Sequence, residues 1–206
     1  MKKPIITTFV VLAFVSISSL YAQNVVFEVM YLKPNTQKLT ELSENMKAHN
    51  EKYHAEAPYT AATWQVISGE RTGKIAWIMG PFTFADLDNR PSDGGHDEDW
   101  MGNVMPQTHG MTDGNYWKMW NDFGYMPSED FQGQIMRVRY VNLKPGKSAA
   151  YRHLLDAIQK VYDANSFKNS MGVYDNWSGG GEADLALVWQ YPDWATFDED
   201  IKFWEK

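Results

Sequence analysis

The feature that most constrains this chain is an internal repeat. Val25–Asn35 reads VVFEVMYLKPN and Met136–Gly146 reads MRVRYVNLKPG, at an offset of 111 residues. Each places an alternating run, the period of a strand, before Leu-Lys-Pro and a turn residue. A helical stretch follows in both. Leu39, Leu42, Met46 and Tyr53 recur on one face in the first copy, and Tyr151, Leu154, Leu155, Ile158 and Val161 in the second. Lys74–Gly80 and Asp184–Gln190 then match as short buried strands at an offset of 110. Each precedes a proline (Pro81, Pro192) and an aromatic helix start, at Phe84 or Trp194. Four matched features in one order at nearly one spacing predict a duplicated unit.

Each copy reads strand, helix, strand, hairpin, strand, helix, with hairpins at Ser68–Gly73 and Ser178–Glu182. In the first copy Tyr116–Asn121 (YWKMWN) adds a fourth strand and completes β-α-β-β-α-β, the ferredoxin-like motif. The stretch 91–115 is an insertion rich in Gly, Asp and Met, with a short helix expected around Asp97–Met105. The second copy stops at Lys206 inside its last helix. An unpaired sheet edge invites aggregation, so the expectation is a C-terminally incomplete unit lacking its last strand.

The N-terminus reads as an export signal. Lys2 and Lys3 precede an apolar stretch, Ile5–Val15, and small residues lead to Tyr21-Ala22-Gln23. Cleavage after Ala22 would leave 184 residues with a net charge of −9, against −7 for the whole chain. The expected organisation is a signal peptide at 1–22, a first unit at 23–130 carrying the insertion 91–115, and a second unit at 131–206. A periplasmic or secreted protein follows, with no membrane association after cleavage. The acidic balance argues against a nucleic-acid partner, since phosphate binding needs a basic face. The absence of cysteine removes disulfides, thiolate nucleophiles and zinc–cysteine sites.

Alternation also assigns faces. Val25, Phe27 and Val29 point one way and Val26, Glu28 and Met30 the other; in the repeat, Met136, Val138 and Tyr140 oppose Arg137, Arg139 and Val141. The uniformly apolar faces are expected to carry the helices and the mixed faces to meet between the units. Glu28 and Arg139 hold equivalent places at the offset of 111, so they are expected to pair in the inter-sheet space.

Two such units packed sheet to sheet as a pseudo-dimeric barrel resemble the dimeric α/β-barrel superfamily, which includes antibiotic-biosynthesis-monooxygenase-like and haem-active proteins. The tandem exported form resembles uncharacterised proteins of Bacteroidetes type. The resemblance rests on the β-α-β-β-α-β order in Val25–Asn121, its partial recurrence in Gln134–Lys206, and the strand-Lys-Pro-turn-helix opening. It implies an α+β fold. Haem-degrading members combine an Asn, a Trp and a His in a pocket; no residue here matches that motif position by position, so no catalytic residue is carried over.

The residues themselves give few chemical leads. His49 and His54 lie five apart on one predicted helix, about 140° around it, so they are expected to be surface groups that share no metal. His96 sits among Asp93, Asp97, Glu98 and Asp99, read as a solvated acidic turn capping the following helix. His153 reads as partly buried packing beside Leu154, and His109 as part of a segment that could lie over a pocket. No nucleophile elbow is present, and Gly179-Gly180-Gly181 reads as a hairpin turn. Trp64, Trp77, Trp117, Trp120, Trp177 and Trp189 fall on or beside strands.

The candidate ligand pocket is therefore Glu28, Arg137, Arg139, Trp64, Trp77 and His109, suited to a flat, hydrophobic or anionic small molecule. No metal site is expected, and neither a cofactor nor an oligomeric state can be assigned. Two functions remain open: an exported binding protein for a small hydrophobic, aromatic or anionic molecule, or a cofactor-poor monooxygenase-like or haem-handling enzyme on the same fold.

Overall fold

A computed structural model describes residues 24–178 and 183–205. The stretch 1–22 read as a signal peptide and the glycines 179–181 of the expected hairpin lie outside the described residues. The chain opens with β1 (Val26–Pro34), a 3-10 turn at Thr36–Lys38 and α1 (Leu39–Tyr53), then β2 (Ala61–Gln65) and β3 (Ile75–Phe82). A 3-10 segment at Phe84–Asn89 leads to α2 (His96–Asp99), which runs on through a π turn at Trp100–Val104 and a 3-10 turn at Met105–Gln107. Then come β4 (Thr108–Tyr125), β5 (Ile135–Val141), α3 (Ser148–Asn165), β6 (Ser170–Asn176), β7 (Leu185–Tyr191) and α4 (Trp194–Trp204).

The seven strands form one curled, wholly antiparallel sheet in the order β2-β3-β1-β4-β6-β7-β5. The expectation of sheets packed face to face becomes a single continuous sheet. Its seam is β4, 18 residues long, which pairs with β1 through its first half and with β6 through Trp117–Met119 and Gly124–Tyr125. The strand expected at Tyr116–Asn121 thus begins eight residues earlier, inside the stretch read as an insertion. β2 and β5 are the sheet's edges among the described residues.

The outer face carries the helices. Leu42 and Met46 of α1 pack with Val26, Leu32, Trp77, Met79 and Phe82, and Leu155 and Tyr162 of α3 pack with Met171, Val173, Leu187 and Trp189. The inner face collects Val29, Trp117, Val138, Tyr140, Tyr174 and Val188, with Phe27 edge-on to Tyr174 at 5.7 Å and the Tyr31 and Tyr140 hydroxyls 2.7 Å apart. Both strand faces are therefore the reverse of the sequence expectation. The alternation itself is as expected; the helices cover the other face in both strands.

The physical reason is that helices bring carboxylates and guanidinium groups of their own. On the outer face Glu28 pairs with Arg90 at 2.8 Å, just after the 3-10 segment, and Arg137 lies 3.6 Å from Asp200 of α4. On the inner face Arg71 lies over the Tyr31 and Tyr140 rings, at 4.8 and 4.5 Å, among the aromatic side chains. Glu28 and Arg139 do not meet: Arg139 is exposed and lies over the Trp189 ring at 6.0 Å.

Candidate metal centre

The outer face of the first half buries three imidazoles together. α1 presents Leu42, Met46 and His49 to the sheet, and at positions 42, 46, 49 and 53 the stripe continues with Tyr53. His49 is therefore a core position, 1% exposed. The helix ends at Tyr53. His54 is the C-cap, at φ −133° and ψ 28°, with its N–H donating to Asn50 O at 2.8 Å. Because the backbone has left helical geometry at that residue, the angular separation expected from helix periodicity no longer applies. The ring turns under the helix end against Trp77, 5.1 Å between centroids, and is 2% exposed.

His96 arrives from the insertion. Gly95 caps α2 with φ +87°, and a Cβ there would stand 3.3 Å from the Tyr53 hydroxyl, so glycine serves both the turn and the close approach. The first residue of α2 then points inward, 7% exposed, although its neighbour Asp97 is 68% exposed at the side chain. The acidic turn is half right: Asp93, Asp97 and Glu98 are exposed, while His96 faces in and Asp99 reaches His49.

Each histidine has one nitrogen occupied and one turned to a common point. His49 Nδ1 lies 2.7 Å from Asp99 Oδ2, His96 Nδ1 2.7 Å from Asp97 Oδ1, and His54 Nδ1 3.0 Å from the Tyr59 carbonyl. All three partners are acceptors, so in the neutral ring each Nδ1 carries the proton and each Nε2 keeps its lone pair. His54 Nε2 and His96 Nε2 are 3.1 Å apart, and His49 Nε2 is buried without a hydrogen-bond partner. The three ligand atoms lie within 4.8 Å of one another. Two lone pairs facing at 3.1 Å call for a cation between them, either a proton or a metal ion. Tetrahedral zinc with Zn–N of ~2.0–2.1 Å separates its nitrogens by about 3.3 Å.

The electrostatics favour lone pairs over protons. Burial pulls His49 below its ordinary value, against the opposing hydrogen bond that it donates to Asp99, and pushes His54 down to about 4. Asp99 is held below the usual carboxylate range by Asn103, whose amide donates at 2.8 Å, and by His49. Asn45 in turn donates to the Asn103 carbonyl at 2.7 Å, which ties the insertion to α1. A ligating imidazole backed by a carboxylate or carbonyl is the usual outer layer of a histidine metal site. Aromatic walls close it: Tyr53 and Trp100 lie 5.0 Å from the His49 ring, and the Trp77 indole donates to Asn50 Oδ1 at 2.9 Å. Among the described residues no fourth side chain joins this group, so a bound ion would keep at least one position for water or an exogenous ligand.

Of the six pocket residues expected from sequence, only Trp77 belongs here. Glu28 is neutralised by Arg90; Arg137 is held by Asp200 and the rings of Trp189 and Phe197, 5.3 and 5.8 Å away. Trp64 is half-buried on the edge strand β2, and His109 is exposed on β4. His153 is exposed as well, against the packing role expected for it. His49, His54 and His96 form a buried group that could hold a metal ion, where the sequence reading expected none.

No protein-family model matches the chain, and no curated protein does. Solved structures do. A candidate monooxygenase from Lactobacillus acidophilus superposes with a TM-score of 0.60 at 12% identity, over 87% of this chain and 82% of its own. A haem-binding protein from Thermus thermophilus gives 0.55 at 9%, over 87% and 82%. A variant of chlorite dismutase from Candidatus Nitrospira defluvii gives 0.53 at 8%, over 92% and 86%. At such identities the likeness is one of architecture: the chain shares the α+β, ferredoxin-like barrel fold of monooxygenase-like and chlorite dismutase-like proteins.

Proposed function

We propose that this is an exported metalloprotein built from two ferredoxin-like units, 23–130 and 131–206, after removal of a signal peptide at 1–22. Its centre is one first-row divalent transition ion held by His49, His54 and His96. The observation that carries the reading is the gathering of three buried imidazoles with ligand atoms within 4.8 Å of one another, each ring backed at Nδ1 by an acceptor. Neutral imidazoles suit Zn, Cu, Fe or Ni, and carboxylates held in the outer layer raise their basicity. An ion with three protein ligands and an open position can polarise a small molecule or activate water, which is the pattern of catalytic rather than structural sites. Fold neighbours described as a candidate monooxygenase and a chlorite dismutase support small-molecule chemistry on this scaffold.

A neighbour is also described as haem-binding. The histidines here do not fit a haem. Three of them cluster with ligand atoms within 4.8 Å of one another, and the other two, His109 and His153, are exposed on a strand and a helix. The test is cobalt substitution. Metal-stripped protein titrated with Co²⁺ is expected to develop visible d–d bands that saturate at one ion per chain and vanish in His49→Ala and His96→Ala. A Soret band on adding haem, with no Co²⁺ spectrum, would reverse the assignment.

A further inference from the structure

One face of the repeated helix is covered in the first half of the chain and bare in the second. In the first half the helical stretch 96–107 runs antiparallel to α1 and is tied to it at each turn. The Gln107 amide donates to Glu41 at 2.7 Å, the Asn45 amide donates to the Asn103 carbonyl at 2.7 Å, and His49 Nδ1 lies 2.7 Å from Asp99 Oδ2. Val104 of this stretch packs with Leu42 and Met46. The caps His54 and Ser166 are repeat mates, and so are Asn50 and Tyr162, which accept the indole N–H of Trp77 and of Trp189; both pairs are 112 residues apart. At that offset Leu42, Asn45 and His49 become Leu154, Ala157 and Val161 of α3. Leu42 and His49 are 0% and 1% exposed, whereas Leu154 and Val161 are 52% and 40% exposed. Among the described residues no counterpart of 96–107 covers them.

The bare face is an apolar seam. Ala150, Leu154, Ala157, Val161 and Ala164 are all exposed and recur at alternating spacings of four and three, the pattern of a helix that packs on another helix. Beside the seam, Val161 and Asn165 form one wall of a 480 Å³ groove, and Phe203 and the half-exposed Trp204 of α4 form the other. No charged residue falls on the seam, and at its margin Asp156 and Lys160 pair with each other at 2.7 Å. Exposed apolar residues scattered singly are ordinary on a protein surface; a contiguous set marks a contact surface.

The order of side-chain sizes along the seam selects the occupant. Small, large, small, large, small reads the same in both directions. A second α3 laid antiparallel, as 96–107 lies on α1, therefore matches it about Ala157. Alanine then faces alanine, which lets the helices approach closely, and each Leu154 seats beside the partner's Val161, next to the groove walled by Trp204. Such a two-fold contact uses one patch twice and closes on itself. We propose that the chain forms a two-fold dimer through α3, with the end of α4 as its rim. A helix pair with this rim is small for a specific interface, so the dimer is reversible. The surface lies in the other half of the chain from the three histidines, and the dimer does not depend on a bound metal.

The absence of cysteine allows a test by single-cysteine linkage. Ala157→Cys, oxidised with diamide, is expected to give a disulfide-linked dimer, because the two copies of this residue meet at the axis. Glu44→Cys, equally exposed but on α1, is expected to stay monomeric. Sedimentation of the unmodified chain should show a monomer–dimer equilibrium that depends on concentration. Leu154→Glu and Val161→Glu should each weaken it at least about tenfold, since every substitution enters the interface twice. Both positions are exposed, so the two variants should keep the circular dichroism and thermal unfolding of the parent. A chain that stays monomeric at millimolar concentration, a dimer indifferent to both glutamates, or linkage as efficient through Glu44→Cys as through Ala157→Cys would each overturn the assignment. So would a monomer that binds phosphatidylcholine vesicles through Leu154, which would make the seam a membrane contact.

Discussion

Asp99→Asn is the sharpest perturbation of the proposed centre that leaves its three ligands in place. Asp99 uses both oxygens: Oδ2 accepts from His49 Nδ1 at 2.7 Å and Oδ1 accepts from the Asn103 amide at 2.8 Å. An asparagine keeps the shape but has one acceptor, so either His49 or Asn103 loses its partner. The negative charge that makes the His49 ring a better donor to a metal is lost whichever way the amide turns. Removal of such an outer partner costs ~10–100-fold in metal affinity, or about 1.4–2.7 kcal/mol. Asp97→Asn is the internal control. Asp97 makes the corresponding bond to His96, but its side chain is 68% exposed, so water can replace it and the loss should stay under about tenfold. Trp77 and Trp100, 5.1 and 5.0 Å from the His54 and His49 rings, provide the assay, since Cu²⁺ or Co²⁺ bound there should quench their fluorescence. Affinities are read by competition against a chelator. An Asp99→Asn protein that binds as tightly as wild type, or an Asp97→Asn protein that loses more, would refute the argument that Asp99 orients and charges the site.

The metal-free protein should lose stability as pH falls from 6.5 toward 4. His54 releases its proton more readily folded than unfolded, so its contribution is complete above 6.5 and amounts to about 3 kcal/mol when fully lost, and urea unfolding that shows no decline across this window would contradict it. Metal-loaded protein should hold to lower pH, because the ion competes with protons for the same nitrogens. Arg90→Ala should cost about 3–5 kcal/mol by stranding Glu28, whereas Arg139→Ala, on an exposed side chain, should cost under about 1 kcal/mol; the reverse ranking in thermal unfolding would restore Glu28 to an inner-face pair.

Much of the fold is legible in the sequence because it depends on period and order. The alternating runs before Leu-Lys-Pro become β1 and β5, the helical stripes become α1 and α3, and the short buried runs become β3 and β7. Parity is harder. Val25–Met30 is apolar on one side and nearly so on the other, and one glutamate does not reveal that an arginine from a later segment meets it on the helix side. The centre is half visible. His49 lies at the next position of the stripe formed by Leu42 and Met46, which is a burial signal for a histidine. His54 is obscured because periodicity assumes that the helix continues, while the chain leaves it at that residue. His96 comes from a stretch with no apolar period of its own, and only tertiary structure brings it across 42 residues to the end of α1.

The most direct test of the central claim is anomalous diffraction at the zinc edge from a crystal of protein loaded with one equivalent of Zn²⁺. The account predicts a single strong peak about 2.0–2.1 Å from the Nε2 atoms of His49, His54 and His96, with a non-protein ligand in a remaining position. A peak elsewhere, or no peak while these three rings stay packed against Tyr53, Trp77 and Trp100, would contradict it.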